Sequence, residues 1–354
     1  MNSRVEKLLK INEDHAQLYM NLAAERQIYR AQHPTEIAAM KCMDGRLHLP
    51  VMTNTAAGVI QPWRNLGGKF NLGWPHYQDT VFEWADYSFN KGRNCIVLAT
   101  YHFARGVAGE DPEKTHHRGC AGYKYDTEAA KAGSLQLKDQ FNRVFNSNGL
   151  YAIQCGIETD LDALILHGEN GDIVDLAEIH FDSVEDIEGR LRQLYPSIPV
   201  EVLRDLIPMV KGNIEHIAEV RASSRPVADA EHKEWVLAVG RGFDWLHELN
   251  TALIVGPFDP DLEGAIATAA GLLKSNIESG RVNSKEGLVL LISTPYRDPA
   301  GYRRRKAEEK ANYLSSMAYR VIQERVPEII PYLSIVTTVV DTNTRKLNVL
   351  SIQN

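Results

Sequence analysis

Cysteine is scarce in this chain: four residues, Cys42, Cys95, Cys120 and Cys155, in 354. Disulfide frameworks belong mainly to small secreted domains, so cysteines this sparse read as free thiols or metal ligands. Long apolar runs are missing too. No stretch reaches the roughly 18 residues that suggest a membrane span, and the first residues are charged where a secretory signal would be apolar. These absences predict a cytoplasmic protein with no membrane partner. Positive charge is not in excess: the formal net charge is −7, and no Lys/Arg stripe alternates with aromatics, which argues against a nucleic-acid partner. The basic run Arg303–Lys306 is local and reads as the solvated face of a helix.

What remains is an ordinary globular composition, 44% hydrophobic and 24% charged, with enough length for one large or two medium domains of ~150 residues. Residues 3 to 31 read as a helix, with a capping-box pattern at Ser3 and Glu6 and apolar residues near helical spacing, ended by Pro34. A short segment, 37–42, leads into an Asp-Gly-Arg turn, and a Gly-rich loop follows over 58–74. A helix is expected over 78–90, then an apolar run of buried-strand length over 95–101. The polar segment 104–119 is long for a compact-domain loop, and loops of that kind tend to be functional.

Beyond it the pattern predicts a helix over 127–145, strands over 151–157 and 163–166, and helices between 183 and 221. The alternation then restarts, with strands near 235–239, 251–255, 287–293 and 333–340 and helices near 260–278 and 300–325. The reading is an N-terminal helical arm over 1–36, a catalytic α/β domain over 37–225 and a second α/β domain over 226–354. No cysteine follows Cys155, so the second domain is expected to be non-catalytic. No internal repeat is strong enough in sequence to establish duplication.

Cys42, Cys120 and a histidine would make a Cys2His set, the kind that holds zinc and leaves one position open. Zinc lowers the pKa of a water molecule to about 7, which makes a hydroxide nucleophile available at neutral pH. Asp44 lies two residues after Cys42 and Arg46 two after that, so an extended backbone points all three to one side. Asp44 can then orient the nucleophile while Arg46 keeps its carboxylate ionised through a bidentate pair. Cys95 and Cys155 sit in apolar strands and read as core.

The order Cys42-Met-Asp-Gly-Arg46, Trp63-Arg-Asn-Leu-Gly-Gly68, helix, strand ending at a histidine, and cysteine opening a Gly-containing turn resembles the β-class carbonic anhydrases. Gly45 stands where that family usually has serine. The stretches Gly119-Cys-Ala-Gly122, Cys155-Gly-Ile-Glu-Thr-Asp-Leu-Asp-Ala163 and Thr294-Pro-Tyr-Arg-Asp-Pro-Ala-Gly-Tyr302 are similar, more narrowly, to the divergent carbonic anhydrases of α-carboxysome shells. The resemblance implies an α/β fold: a β-carbonic-anhydrase-like sheet flanked by helices, followed by a degenerate α/β domain of related type. It implies a Zn2+ cofactor, held by Cys42, His102 and Cys120 because the metal histidine ends a strand. His117, in a His-x-x-Cys arrangement with Cys120, is the alternative to His102.

Asp44 and Arg46 are the implied catalytic pair, and Arg64, Asn65, Gly67 and Gly68 the implied lining of the substrate pocket. The implied reaction is reversible hydration of carbon dioxide to bicarbonate and a proton. Carbonyl sulfide or carbon disulfide hydrolysis at the same site is an alternative, as is a non-catalytic structural module of a larger assembly. The implied partners are carbon dioxide and bicarbonate, a second copy in a homodimer or higher homo-oligomer, or a pseudo-dimer with the second domain. A carboxysome shell or Rubisco association, with residence inside a carboxysome, follows from the narrower resemblance.

Overall fold

The computed structural model describes residues 3–106, 118–146, 148–180, 183–223, 231–298 and 301–354. The chain opens with helices α1 (Ser3–Asn21) and α2 (Ala23–Gln32), strand β1 (Glu36–Cys42), a short helix α3 (Leu49–Met52), strand β2 (Ile60–Asn65) and helix α4 (Pro75–Phe89). Then come β3 (Cys95–Phe103), α5 (Thr127–Phe145), β4 (Leu150–Glu158), β5 (Ala163–His167) and β6 (Ile173–Asp175). Three helices follow: α6 (Val184–Leu194), α7 (Val200–Arg204) and α8 (Ile207–Ser223). The last part holds β7 (Val236–Gly240), β8 (Ala252–Val255), α9 (Leu262–Glu278), β9 (Leu288–Tyr296), α10 (Tyr302–Arg325), β10 (Leu333–Asp341) and β11 (Leu347–Gln353). The single helix expected over 3–31 is interrupted at Leu22, and Arg26 of the second piece lies over the Tyr19 ring, 3.6 Å from its centroid.

Two sheets result, in the orders β2-β1-β3-β4-β5-β6 and β11-β10-β9-β7-β8. The pairings β2–β1, β1–β3 and β3–β4 are parallel and β4–β5 is antiparallel. In the second sheet β8–β7, β7–β9 and β9–β10 are parallel and β10–β11 is antiparallel. The five strands of the second sheet therefore repeat β1–β5 of the first in order and direction, and β6 has no counterpart among the described residues. The crossover helices repeat too: α4 and α9 follow the edge strands, α5 and α10 the next crossover. The middle strands are nearly all apolar and buried, as strands covered on both faces must be.

Hydrogen-bond register makes the correspondence residue-specific. Ile60, Ile37, Ile96 and Tyr151 form a row across the first sheet, and Ala252, Val236, Val289 and Ser334 the matching row across the second. Counting forward from those rows, Cys42 corresponds to Arg241, Asp44 to Phe243 and His102 to Pro295. At these three positions the second unit has the strand architecture but no thiol, carboxylate or imidazole. A sequence repeat was invisible because register is held by backbone bonds, which any apolar β-former supplies.

The two sheets meet at the chemistry-bearing turn. Ile254 N donates to Met43 O at 2.9 Å, Asn250 N to Gly45 O at 3.0 Å and Gly256 N to Arg64 O at 2.9 Å. Helix α1 lies against the second unit: Arg4 Nη1 donates to Gly287 O at 2.6 Å and Asn12 Nδ2 to Arg345 O at 2.9 Å. Among the described residues, no helix is long and apolar enough to cross a membrane.

Candidate metal centre

Cys42 ends β1, His102 sits one residue before the end of β3 beside it, and Cys120 opens the short turn that precedes α5. The parallel sheet brings the first two to one edge, where α/β sites form. The ligand atoms of the three residues all lie within 4.8 Å of one another, and all three side chains are buried. The sulfurs of Cys42 and Cys120 are 3.8 Å apart. That is the edge of a tetrahedron built on Zn–S bonds of about 2.3 Å. Neither ring nitrogen of His102 has a hydrogen-bond partner, although the residue is 2% exposed. A buried imidazole left without partners is costly unless something else takes its lone pair, and a cation between two thiols and that ring does so. The donor set fits zinc. His117, the alternative ligand, lies outside the described residues.

The electrostatics divide the thiols. The Cys42 and Cys120 thiols share a hydrogen bond in which either sulfur can donate; this bond together with burial pushes Cys42 well up, and it lowers Cys120 against the opposing effect of burial. Cys120 is the readier thiolate. Cys95 and Cys155 are both pushed up to about 12 by burial and belong to the core.

Beside the three ligands stands the carboxylate–guanidinium pair. Arg46 Nε donates to Asp44 Oδ1 at 2.9 Å and Nη2 to Oδ2 at 2.6 Å, and the Arg46 backbone N–H reaches Oδ1 at 2.9 Å. Burial opposes ionisation of Asp44, but Arg46, His232 and His102 together hold it well below the usual carboxylate range. Asp44 Oδ2 is 3.7 Å from His102 Nε2, yet Asp44 does not join the Cys-His-Cys group. Both of its oxygens are engaged by Arg46.

Arg64 braces this turn from behind: Nη1 donates to Asp44 O at 2.8 Å and Nη2 to Leu47 O. Burial lowers Arg64 to about 10. Asn65 donates to Lys69 O at 2.8 Å and to Asp259 at 3.2 Å. Gly67 and Gly68 form a tight turn with φ of 68° and 64°, wedged between the end of β1 and the Cys120 turn. A Cβ on Gly122 would come within 2.5 Å of Gly67 Cα, so the two turns touch backbone to backbone. A cavity of about 180 Å³ bounded by Arg64, Arg241, Phe258 and Pro295 lies between the units, and none of Cys42, His102 and Cys120 borders it.

The second unit also supplies polar partners that no local motif announced. His232 Nε2 lies 3.1 Å from Arg46 Nη2, and its Nδ1 lies 3.0 Å from Glu234 Oε1. Glu234 Oε1 also accepts from Gly45 N at 3.0 Å, and Asn276 Nδ2 donates to Glu234 O at 3.0 Å. Burial opposes ionisation of Glu234, but His232 and Arg46 together hold it below the usual carboxylate range. The available signal was a His-x-Glu pair immediately before a strand as apolar as Val236–Gly240, where ionisable residues need a stated partner.

Gly45 is explained by the same contact. A Cβ there would stand 2.7 Å from Glu234 Cγ and 2.9 Å from Ala252 O. The second unit occupies the space a serine side chain would need. Gly45→Ser is expected to lower the free energy of unfolding by about 1–3 kcal/mol, the usual cost of overpacking. Urea denaturation checks this, and an unchanged midpoint would refute the packing account of Gly45.

No protein-family model matches the chain, and no curated protein matches it. Among solved structures, the chain is similar to a carbonic anhydrase from Streptococcus mutans, with 17% identity and a TM-score of 0.24. That match covers 44% of this chain and 96% of the other. A likeness of that size has no bearing on the reaction.

Proposed function

We propose that Cys42, His102 and Cys120 hold a zinc ion at which carbon dioxide is reversibly hydrated to bicarbonate and a proton. The observation that carries this reading is the combination of two thiol sulfurs 3.8 Å apart with an unpartnered buried imidazole, beside a bidentate Asp44–Arg46 pair. When bound, zinc supplies Lewis acidity that brings a water molecule's pKa down to about 7. Asp44, ionised and pinned by Arg46, would accept a hydrogen bond from the attacking water or hydroxide and so orient it toward the substrate carbon. Arg46 cannot turn away: its Nη2 also donates to Arg118 O at 2.9 Å and meets the His232 ring. Arg64 and Glu234 hold the backbone on either side of Asp44 and Gly45, so the carboxylate is set before substrate arrives.

Asp44→Asn tests the assignment without touching a ligand. The variant is expected to keep its zinc and to hydrate carbon dioxide about 10- to 100-fold more slowly, as measured by stopped-flow pH-indicator assay. Wild-type turnover in this variant would remove Asp44 from the mechanism. A zinc-loaded wild-type protein with no hydration activity would sink the reaction itself.

A further inference from the structure

We infer that Asp160 is a positioning residue for the metal centre, its carboxylate clamping together the two chain segments that carry His102 and Cys120. This rests on the metal reading above. Asp160 lies in the turn that follows β4, far in sequence from either ligand. Its Oδ2 accepts from Arg105 N at 2.9 Å and Gly106 N at 2.8 Å, just downstream of His102. Its Oδ1 accepts from Arg118 Nη2 at 3.0 Å, two residues before Cys120. One carboxylate therefore holds the chain where it leaves the first ligand and where it returns to the second.

The clamp is itself rigid. Asp160 N donates to Glu158 Oε1 at 2.7 Å and Leu161 N to Glu158 Oε2 at 2.9 Å, so a buried carboxyl sets the turn. Thr159 adds two bonds to Phe103 O, from its N at 2.9 Å and its Oγ1 at 3.1 Å, one residue past His102. Arg118 is 3% exposed, and its carbonyl accepts the Arg46 Nη2 bond that helps fix Asp44. Cutting Asp160 from Arg118 thus loosens a ligand and the Asp44–Arg46 pair through the same segment. Asp160 belongs neither to the Cys42–His102–Cys120 group nor to the Asp44–His232–Glu234 group, the two sets of potential metal ligands among the described residues, which makes support of the ligands its role rather than ligation. Segments closed by one clamp lose chain freedom before the metal binds, and a ligand set ordered in advance releases its ion slowly.

The test is the rate at which zinc passes from the loaded protein to an excess of chelator. Asp160→Asn keeps the volume but turns amide hydrogens toward groups that donate, and it is expected to release zinc about 10- to 100-fold faster than wild type. Asp205→Asn is the control, because Asp205 is a buried carboxylate remote from the ligand segments, accepting from Thr35 N at 2.8 Å at the opposite end of β1. It is expected to lose stability and to release zinc at the wild-type rate. Arg118→Gln, which removes only one side of the clamp, is expected to speed release as well and serves if Asp160→Asn does not fold. Wild-type release from a folded Asp160→Asn or Arg118→Gln protein overturns the clamp. Equal acceleration in Asp205→Asn overturns it too, since the effect would then be general loosening. A wild-type protein that takes up no zinc fails differently, at the metal centre, before any variant is compared.

Discussion

Cys42→Ala and His102→Ala proteins are expected to retain no stoichiometric zinc and to hydrate carbon dioxide no faster than buffer. Each change removes one of three protein donors whose atoms lie within 4.8 Å of one another, and two donors do not hold zinc against dilution. Losing Cys42 also removes the hydrogen-bond partner of Cys120, the thiol that the bond between them makes more acidic. Cys155→Ala separates ligand loss from simple core damage. Cys155 is as buried as Cys42 but belongs to no ligand cluster, so its variant should lose stability and keep both zinc and activity. Zinc analysis of the three purified variants, alongside stopped-flow hydration, decides the matter. Retention of stoichiometric zinc by either Cys42→Ala or His102→Ala contradicts the ligand assignment.

The second large effect is expected at Arg46. This side chain is 0% exposed and holds both oxygens of Asp44, itself 2% exposed. Removing one member of a buried pair strands the other charge, at a cost of about 3–5 kcal/mol. Arg46→Ala is therefore expected to be destabilised by that amount near pH 7. Arg46→Lys should recover little, because an ammonium cannot span two carboxylate oxygens, the Arg118 carbonyl and His232 together.

The pH dependence of that deficit has a definite sign. In the native protein Asp44 is depressed, so its contribution is present above the unfolded value near 3.8 and is lost as pH falls through the lower folded value. Without Arg46, burial acts with less opposition and Asp44 moves upward. Lowering the pH toward 4 then protonates the stranded carboxyl and should narrow the gap between variant and wild type. Urea titrations across pH 4 to 7 read this directly, and a gap that widens on acidification would contradict the electrostatic account.

Much of the site was legible because its core is local. The two-residue spacings from Cys42 to Asp44 and Arg46 are set by backbone geometry, and β3 announces itself as an apolar run that ends near His102. What depends on the second unit was not legible. His232 and Glu234 reach Arg46 and Gly45 across 186 and 189 positions of chain, and no periodicity encodes a contact of that kind. Gly45 is the case in which the two levels meet. In sequence it is a departure from a familiar pattern, and only the packed structure shows Glu234 and Ala252 occupying the space that serine would take.

The fold divides in the same way. Most strands and helices followed from composition and period, but β2 (Ile60–Asn65) lies inside the stretch read as a Gly-rich loop over 58–74, β11 (Leu347–Gln353) was not expected, and the strand-for-strand repetition of β1–β5 by β7–β11 was not legible. Backbone hydrogen bonds set that repetition, and the residues at the positions matching Cys42, Asp44 and His102 are Arg241, Phe243 and Pro295. The second unit braces the site, with its edge strand β8 backing the Cys42–Arg46 turn and His232, just before β7, meeting its guanidinium.

The most direct test of the central claim is zinc K-edge X-ray absorption on the reduced, zinc-loaded protein. The account predicts one tightly held zinc per chain with two sulfur neighbours at about 2.3 Å and nitrogen or oxygen neighbours at about 2.0 Å. A first shell without sulfur, or a protein that retains no zinc after dialysis, would contradict it.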